Sequence, residues 1–475
     1  MSIKKHSKIY GKISDLRCEV DFIQSIYDKG FNVVWLNTAH QEEEDTLKVI
    51  EHTRKVSEDL SIIVDTKGPE IRIHGIEEEK PFLVKESQIV YLTGNLEVSG
   101  DDIVHVDYPN FAEELEAGKQ ILIDDGEIGL TVEAIEGDKV KCHVDNTGGG
   151  KIKRKKSVNV PDTHFKNLQS LTDKDKKYIE FAAQNKDIDY VIHSFVRSKE
   201  DVMKIRNILD KYDTQCGIIA KIENTAGVEN VLNGEILDVV DGIMVARGDL
   251  AVEVPAPEVP IVQKRMIREA LKRGVFTITA TQALHTMIES PRPTRAEVSD
   301  VANGILDGSD SMSLSGETAY GEYPVESVDF MTRTMIATEK GRRDVAHEDT
   351  KISTSLIEGE IAHEAVEVGR DSKAFIVPTV TNRTVRALAT FHLDQYIYAV
   401  SDNKMLLRQA EAHSYGAESI FAEGSRNEKL LVAIEEVAKR EELLDEDKVT
   451  IVDADNESET YYHVDTIANF RKDLA

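Results

Sequence analysis

Along the chain, short runs of consecutive apolar residues alternate with longer stretches in which apolar positions recur at helical spacing. The apolar runs are SKIYGKI (7–13), NVVWLN (32–37), SIIVDT (61–66), DYVIHSF (189–195), GIIAKIE (217–223), DGIMVAR (241–247), FTITATQ (276–282) and SDSMSLS (309–315). Strands that are apolar throughout, rather than at every second position, belong to parallel sheets covered on both faces. Between most of them lie runs of helical length, such as 18–29, 42–60, 173–185, 199–212 and 258–274. Eight strand–helix units in series are the count of a (β/α)8 TIM barrel. An open doubly wound sheet would alternate as well, but eight units with polar residues at the strand ends favour closure.

From 71 to 160 this alternation stops. Short strands such as QIVYL, DIVHV, QILID, EIGLTVEAI and KVKCHVD are punctuated by TGN, SGDD, DDGE, EGD and TGGG, which are hairpin and turn signals. A structureless loop of that length is improbable inside a compact domain. The segment therefore predicts an all-β domain inserted after the third strand, at the C-terminal mouth of the barrel, where it would act as a lid. After EDTKISTS the pattern resumes as helix (357–370), AFIVPTV, helix (384–392), YIYAV, helix (404–415), ESIFA, helix (429–440), VTIVDAD and a final strand pair. The expected division is barrel 1–71, β lid 72–160, barrel 161–344 and a C-terminal α/β domain 345–475. That last region gathers no acids, bases and nucleophiles, which points to regulation or oligomerisation.

Composition narrows the class. The 475 residues suffice for several domains, and 40% are apolar, enough for each to bury a core. With 58 Lys+Arg against 87 Asp+Glu the formal charge is −29, which argues against nucleic acid or an anionic membrane as the main partner. No apolar run approaches the ~18–20 residues needed to cross a bilayer, and MSIKKHSKIYGKI lacks the apolar stretch of a signal peptide. Cys18, Cys142 and Cys216 form no CxxC pair and read as reduced thiols of a cytoplasmic protein.

The strand ends carry the candidate chemistry. The third leads into Asp65-Thr66-Lys67-Gly68-Pro69-Glu70-Ile71-Arg72, the fifth ends Lys221-Ile222-Glu223, the sixth Arg247-Gly248-Asp249 and the seventh Thr281-Gln282. Lys221 and Glu223, two apart, point to one face of a buried strand, which is costly unless they form an ion pair or a site. Asp249 at the end of the next strand favours a site. Two carboxylates with hard oxygens suit Mg²⁺ bound with water and substrate phosphate, and a nearby Lys suits charge on a transferring phosphoryl group. Gly248 would let backbone N–H groups approach a bound anion, or is a plain turn glycine. The basic run Lys151-Ile152-Lys153-Arg154-Lys155-Lys156 is either a solvated hairpin or charge for a nucleotide polyphosphate at the lid–barrel cleft. Thr147-Gly148-Gly149-Gly150-Lys151 lacks the GxxxxGK[ST] spacing of a phosphate loop. The residues alone thus give a (β/α)8 enzyme with a β lid, acting on an anionic phosphate substrate with Mg²⁺.

At these positions the sequence resembles the pyruvate kinase family. GIIAKIENTAGV (217–228) is similar to that family's active-site segment, and around it stand DTKGPEIR (65–72), DGIMVARGDL (241–250), ATQALHTMIESPRPTRAEVSDVAN (280–303) and LSGETAYGEYP (314–324). The resemblance implies glycolytic phosphoryl transfer from phosphoenolpyruvate to ADP, giving pyruvate and ATP, by a cytoplasmic homotetramer. Carried onto matching residues, Glu223 and Asp249 would hold Mg²⁺ (or Mn²⁺), and Lys221 would neutralise the phosphoryl group in flight. Arg72 would hold nucleotide or phosphoryl oxygens, with Lys156, Asn37 and His40 on the nucleotide. The Arg247-Gly248-Asp249 turn would cradle the substrate carboxylate, and Thr281 would sit beside the enolate and pass it a proton. Asn37, Asp65 and Thr66 would ligate K⁺, and Glu70 is typical of potassium-dependent members.

Several positions depart from the family pattern. Trp35 stands where an Arg usually helps bind substrate phosphate, a contact that Trp cannot replace and that is worth ~2–4 kcal/mol. Ala39 stands where a Ser commonly ligates potassium, which weakens that site. In the first strand the usual T-I-G-P is replaced by Lys12-Ile13-Ser14-Asp15, so that a Lys could supply the charge missing near Trp35. Thr379–Thr384 is similar to the family's effector phosphate loop, but Asn382 replaces the usual Gly, and a helix N-cap at Thr381 or Asn382 explains the segment equally well. Two alternatives follow: a pyruvate-kinase-like binding or regulatory protein with impaired catalysis, and another Mg²⁺ enzyme of the phosphoenolpyruvate/pyruvate barrel type. The inserted lid and the C-terminal domain disfavour the second.

Overall fold

The computed structural model describes residues 3–38, 41–77, 80–161, 163, 165–345, 357–453 and 461–474. The eight apolar runs become strands β1 (Lys8–Lys12), β2 (Val33–Asn37), β3 (Ser61–Asp65), β4 (Tyr190–His193), β5 (Gly217–Ile222), β6 (Gly242–Ala246), β7 (Phe276–Ala280) and β8 (Ser311–Leu314). They close into a barrel in which every neighbouring pair is parallel. Closure explains the unbroken apolar pattern, because each strand buries one face inside the barrel and the other under helices. Tyr10, Trp35, Ile63, Ile192, Met244 and Ile278 fill the interior. Val34, Ile62, Val191, Ile218 and Ile243 face the helical layer. Polar side chains begin and register the helices: Thr172 and Thr294 each cap one through a capping box, with Asp175 and Glu297 bonding back.

Between β3 and β4 the chain builds a seven-stranded, mostly antiparallel sheet running from Ile73–His74 to Val158–Asn159. Its strands alternate buried and half-buried residues, as in Lys139–Asn146, and close over a core that includes Leu92, Phe111, Ile121 and Leu130. Leaving at the end of β3 and returning before β4 sets this insert at the C-terminal mouth.

The C-terminal region is a five-stranded sheet of β9 (Ala374–Pro378), β10 (Tyr396–Ser401), β11 (Ala417–Phe421), β12 (Lys448–Asp453) and β13 (Tyr461–Thr466), ordered β11-β10-β9-β12-β13. All pairs are parallel except β12–β13. The pattern predicted a closing pair of strands. Instead the chain finishes in the helix Ile467–Leu474, held by buried Ile467 and Phe470 on its inner face. Asn382 precedes the helix Arg383–Ala389 with φ of 61°, the left-handed region that Gly favours and Asn tolerates. Its side chain does not cap that helix; the amide Nδ2 donates 2.7 Å to Leu406 O and ties two C-terminal helices together.

The helix Lys404–His413 plugs the N-terminal end of the barrel. His413, fully buried, packs its ring against Tyr10, Tyr190 and Phe276, and its Nε2 lies 2.9 Å from the hydroxyl of Ser61. Burial pushes its pKa well below the usual histidine range, so the ring is a neutral packing element. One turn earlier Arg408 pairs at 2.9 Å with buried Asp189, which precedes β4.

Candidate active site

The opposite, C-terminal end of the barrel carries the chemistry. Strand β5 delivers Lys221 near its end, and Glu223 follows on the same side. The Nζ of Lys221 sits 2.6 Å from Glu223 Oε1 and 3.7 Å from Asp65 Oδ2. Asp249 stands in the first turn of the helix Arg247–Glu253 that follows β6, and its carboxylate lies against that of Glu223. One lysine is thus surrounded by three carboxylates from three strand ends. Burial alone would lower the pKa of Lys221, but Asp65, Glu223 and Asp249 outweigh it and hold the ammonium above its ordinary range. Burial and the neighbouring Asp249 push the Glu223 carboxyl up, against the pull of Lys221.

Glu223 is held by backbone and not only by charge. Its Oε2 accepts the N–H of Phe195 at 2.9 Å. Phe195 itself has φ of 56°, a strained value for a bulky residue, just past the end of β4. The other oxygen, Oε1, is buried and lacks a hydrogen-bond partner, since Lys221 approaches it in charge contact without hydrogen-bond geometry. A buried, unbonded carboxylate oxygen beside a second carboxylate fits a divalent cation. Among the described residues no cluster of three or more His, Cys, Asp or Glu is arranged to hold a metal, so water and substrate oxygens would complete its shell.

Asp65 is fixed from three sides. Ser194 Oγ donates to Oδ1 at 2.8 Å, Trp35 Nε1 donates to Oδ2 at 3.2 Å, and Lys221 stands beyond. Thr66 Oγ1 accepts the Ser194 N–H at 3.1 Å, and Asn37 is the direct register partner of Asp65 on β2. Asn37, Asp65 and Thr66 therefore share one corner of the mouth, while His40 and Ala39 lie outside the described residues.

The loop after β7 closes the remaining side. Thr281 and Gln282 have φ of 69° and 54°, both in the left-handed region, which is strained for a β-branched residue such as Thr281. A three-point clamp holds this conformation. Arg247 donates to Ala280 O at 3.2 Å and Thr281 O at 2.7 Å while pairing with Asp300 at 2.7 Å. The guanidinium is thereby committed to the loop, and the Gly248 N–H donates 2.8 Å to Thr281 Oγ1. A Cβ added at Gly248 would first meet the Thr281 side chain, at 3.5 Å, an ordinary contact distance.

Two of the expected residues stand apart from this cluster. Arg72 is turned onto Glu70, 2.6 Å from its Nε, and onto Lys155 O. Lys156 pairs at 2.6 Å with Asp124 within the inserted sheet. Between insert and barrel runs a cleft lined by Glu70, Ile71, Ser157, Asn224, Arg197 and Asp249, which joins their neighbourhood to the carboxylates. Sequence reasoning missed Ser194, Phe195 and Asp300. Their functional groups reach the site across 129, 28 and 53 positions of chain respectively, and no local pattern marks them.

Residues 4–328 match the family model for the pyruvate kinase barrel domain. A pyruvate kinase of Borreliella burgdorferi is 41% identical over 457 residues, covering 95% of this chain and 94% of the relative. One of Geobacillus stearothermophilus is 39% identical over 418 residues, covering 86% of this chain and 70% of the relative. Among solved structures, a crystal structure of a pyruvate kinase from Cryptosporidium parvum superposes with a TM-score of 0.88 at 29% identity, covering 98% of this chain and 96% of that one.

Proposed function

This chain belongs to the pyruvate kinase family, and we propose that its barrel-mouth cluster carries out that family's glycolytic reaction, phosphoryl transfer from phosphoenolpyruvate to ADP giving pyruvate and ATP. The observation that carries the assignment of roles is the buried Lys221 ammonium, 2.6 Å from Glu223 and hemmed in by Asp65 and Asp249. Three carboxylates thus hold a positive charge at the end of a barrel strand. Phosphoryl transfer asks the protein mainly for such positioned charge, because the transferring group spreads negative charge over three oxygens and little covalent chemistry is left for side chains.

In this reading Glu223 and Asp249 would hold Mg²⁺ or Mn²⁺, Glu223 offering its buried Oε1. Bound there, the cation would supply charge neutralisation for phosphate and enolate oxygens. Lys221 meets the phosphoryl group in flight. The Arg247-Gly248-Asp249 turn faces the substrate carboxylate with backbone N–H groups, Arg247 acting through its grip on the loop after β7. The hydroxyl of Thr281, already hydrogen-bonded at 2.8 Å to the Gly248 N–H, passes the proton to the methylene carbon of the enolate. Arg72, Lys156, Asn37 and His40 address the nucleotide, and the first two reach it by leaving Glu70 and Asp124 when polyphosphate offers a stronger partner. Asn37, Asp65 and Thr66 form the K⁺ corner. The homotetramer and the cytoplasmic compartment rest on family membership; no described helix is long and apolar enough to cross a membrane.

Nothing in the cluster favours the alternative of a catalytically impaired binding protein, since Lys221, Glu223, Asp249 and Thr281 stand together at the mouth. The test is pyruvate formation by the purified protein from phosphoenolpyruvate, ADP and Mg²⁺, with and without K⁺. Turnover supports the reading, and its absence at saturating substrate overturns it.

A further inference from the structure

We propose that Lys12 is a second phosphoryl-binding cation of this site, carried on the face of Trp35. The inference rests on the phosphoenolpyruvate reading above and deepens it by adding a substrate contact from β1. Lys12 and Trp35 are direct register partners on β1 and β2, so both side chains emerge on the inner face of the barrel. The Lys12 ammonium lies 4.6 Å from the centroid of the Trp35 ring, within cation–π range. The indole works at both ends: its face carries Lys12, and its Nε1 holds Asp65 at 3.2 Å.

Lys12 differs from Lys221 in what neutralises it. Lys221 has ion pairs at 2.6 and 3.7 Å. Among the described residues the Lys12 ammonium has no carboxylate within 4.0 Å, and Asp65, two strands away at the end of β3, is engaged by Trp35, Ser194 and Lys221. Burial lowers the pKa of Lys12. Asp65, Glu223 and Asp249 pull it back up and Lys221 opposes them, so all five groups share one field. A largely buried cation that lacks its own counter-ion is costly unless an anion arrives. The anion this reaction brings to the mouth is the phosphate of a phosphorylated carboxylic acid. An ammonium offers three donors about one point charge and suits a single phosphoryl oxygen, with the aromatic face limiting where it can swing. A lysine that merely packs on tryptophan would leave substrate binding untouched, which separates the two roles by experiment.

The test compares the wild type with Lys12→Met and Lys12→Arg in the full-length protein, measuring KM for phosphoenolpyruvate, KM for ADP, kcat and the melting temperature. Losing one charge-assisted hydrogen bond should raise KM for phosphoenolpyruvate by about 10- to 100-fold in Lys12→Met, with KM for ADP within about twofold, and Lys12→Arg should recover most of the loss. Equilibrium titration of phosphoenolpyruvate with Mg²⁺ in the absence of ADP should show the same order. A folded Lys12→Met enzyme with unchanged KM for phosphoenolpyruvate overturns the inference, and so does a folded Lys12→Arg enzyme as impaired as Lys12→Met. If Lys12→Met fails to fold, the folded arginine variant decides: wild-type affinity supports the charge, and lost affinity contradicts it. A wild type without turnover would instead remove the reading on which the inference rests.

Discussion

The backbone N–H of Gly248 donates to the hydroxyl of Thr281 across 2.8 Å, joining the helix that follows β6 to a left-handed residue that follows β7. Each residue thereby places the other, and the Arg247 guanidinium locks the pair from behind. Removing the hydroxyl while keeping the branched shape should therefore spare the fold and cost the proton transfer. Thr281→Val is expected to lower kcat by about 10²- to 10³-fold, with Thr281→Ser within about tenfold of wild type. Steady-state kinetics of both variants check this; a Thr281→Val kcat within threefold of wild type would remove Thr281 from the mechanism.

Asp249 stands against the buried Glu223 carboxyl, and its negative charge helps push the Glu223 pKa up. Glu223→Gln should relieve that repulsion, so its melting temperature in chelator should equal or exceed that of wild type. The same change should raise the Mg²⁺ concentration for half-maximal rate by at least about tenfold. The two readouts move in opposite directions only if the pair is built for a cation. A large loss of stability with unchanged Mg²⁺ dependence would identify it as a structural cluster.

Glu339, on the helix Pro324–Val345, anchors the entry to β1. Burial would raise its pKa, but hydrogen bonds from His6 and Ser7 outweigh this and bring it from 4.5 down to about 2. A folded-state pKa below the unfolded one contributes stability above pH ~4.5 that is lost as pH falls toward ~2. At about 1.4 kcal/mol per unit the contribution is on the order of 3 kcal/mol. Glu339→Gln should thus be less stable than wild type at pH 7, and the gap should close between pH 5 and about 2 in denaturant titrations. A gap independent of pH would show that the carboxylate's charge is not what matters.

At the far end of the barrel, Arg408 and Asp189 form a buried pair between the helix Lys404–His413 and the start of β4. Truncating one partner leaves a buried charge, so Arg408→Met should cost about 3–5 kcal/mol, whereas Arg408→Met with Asp189→Leu should recover a large part. Chemical unfolding of the single and double variants measures this coupling. Additive losses would mean that the two residues do not depend on each other.

How legible all this was in the sequence follows from the range of the interactions. The eight barrel strands are uniformly apolar because both faces are buried, and that burial is written locally in runs such as GIIAKI. Lys221, Glu223, Asp249 and Thr281 were visible because polar residues at the ends of apolar strands contradict their surroundings. The closing helix Ile467–Leu474 was missed because eight residues with two buried positions give too short a period to separate from a strand. The clamp from Asp300 and the backbone support from Phe195 arise only when loops after different strands converge. The pairing of Lys12 with Trp35 needed the β1–β2 register, although the sequence already showed an unusual lysine and an unusual tryptophan.

The central claim is that the Lys221 ammonium stabilises the transferring phosphoryl group and does not serve as a structural counter-ion. It is tested most directly by Lys221→Met, assayed for phosphoryl transfer in a single turnover while Mn²⁺ binding is followed in the same preparation. The account predicts a transfer rate lowered by at least about 10³-fold with Mn²⁺ affinity unchanged or increased, because Glu223 and Asp249 remain and a competing positive charge is gone. Transfer within tenfold of wild type, or a parallel loss of Mn²⁺ binding and rate, would contradict it.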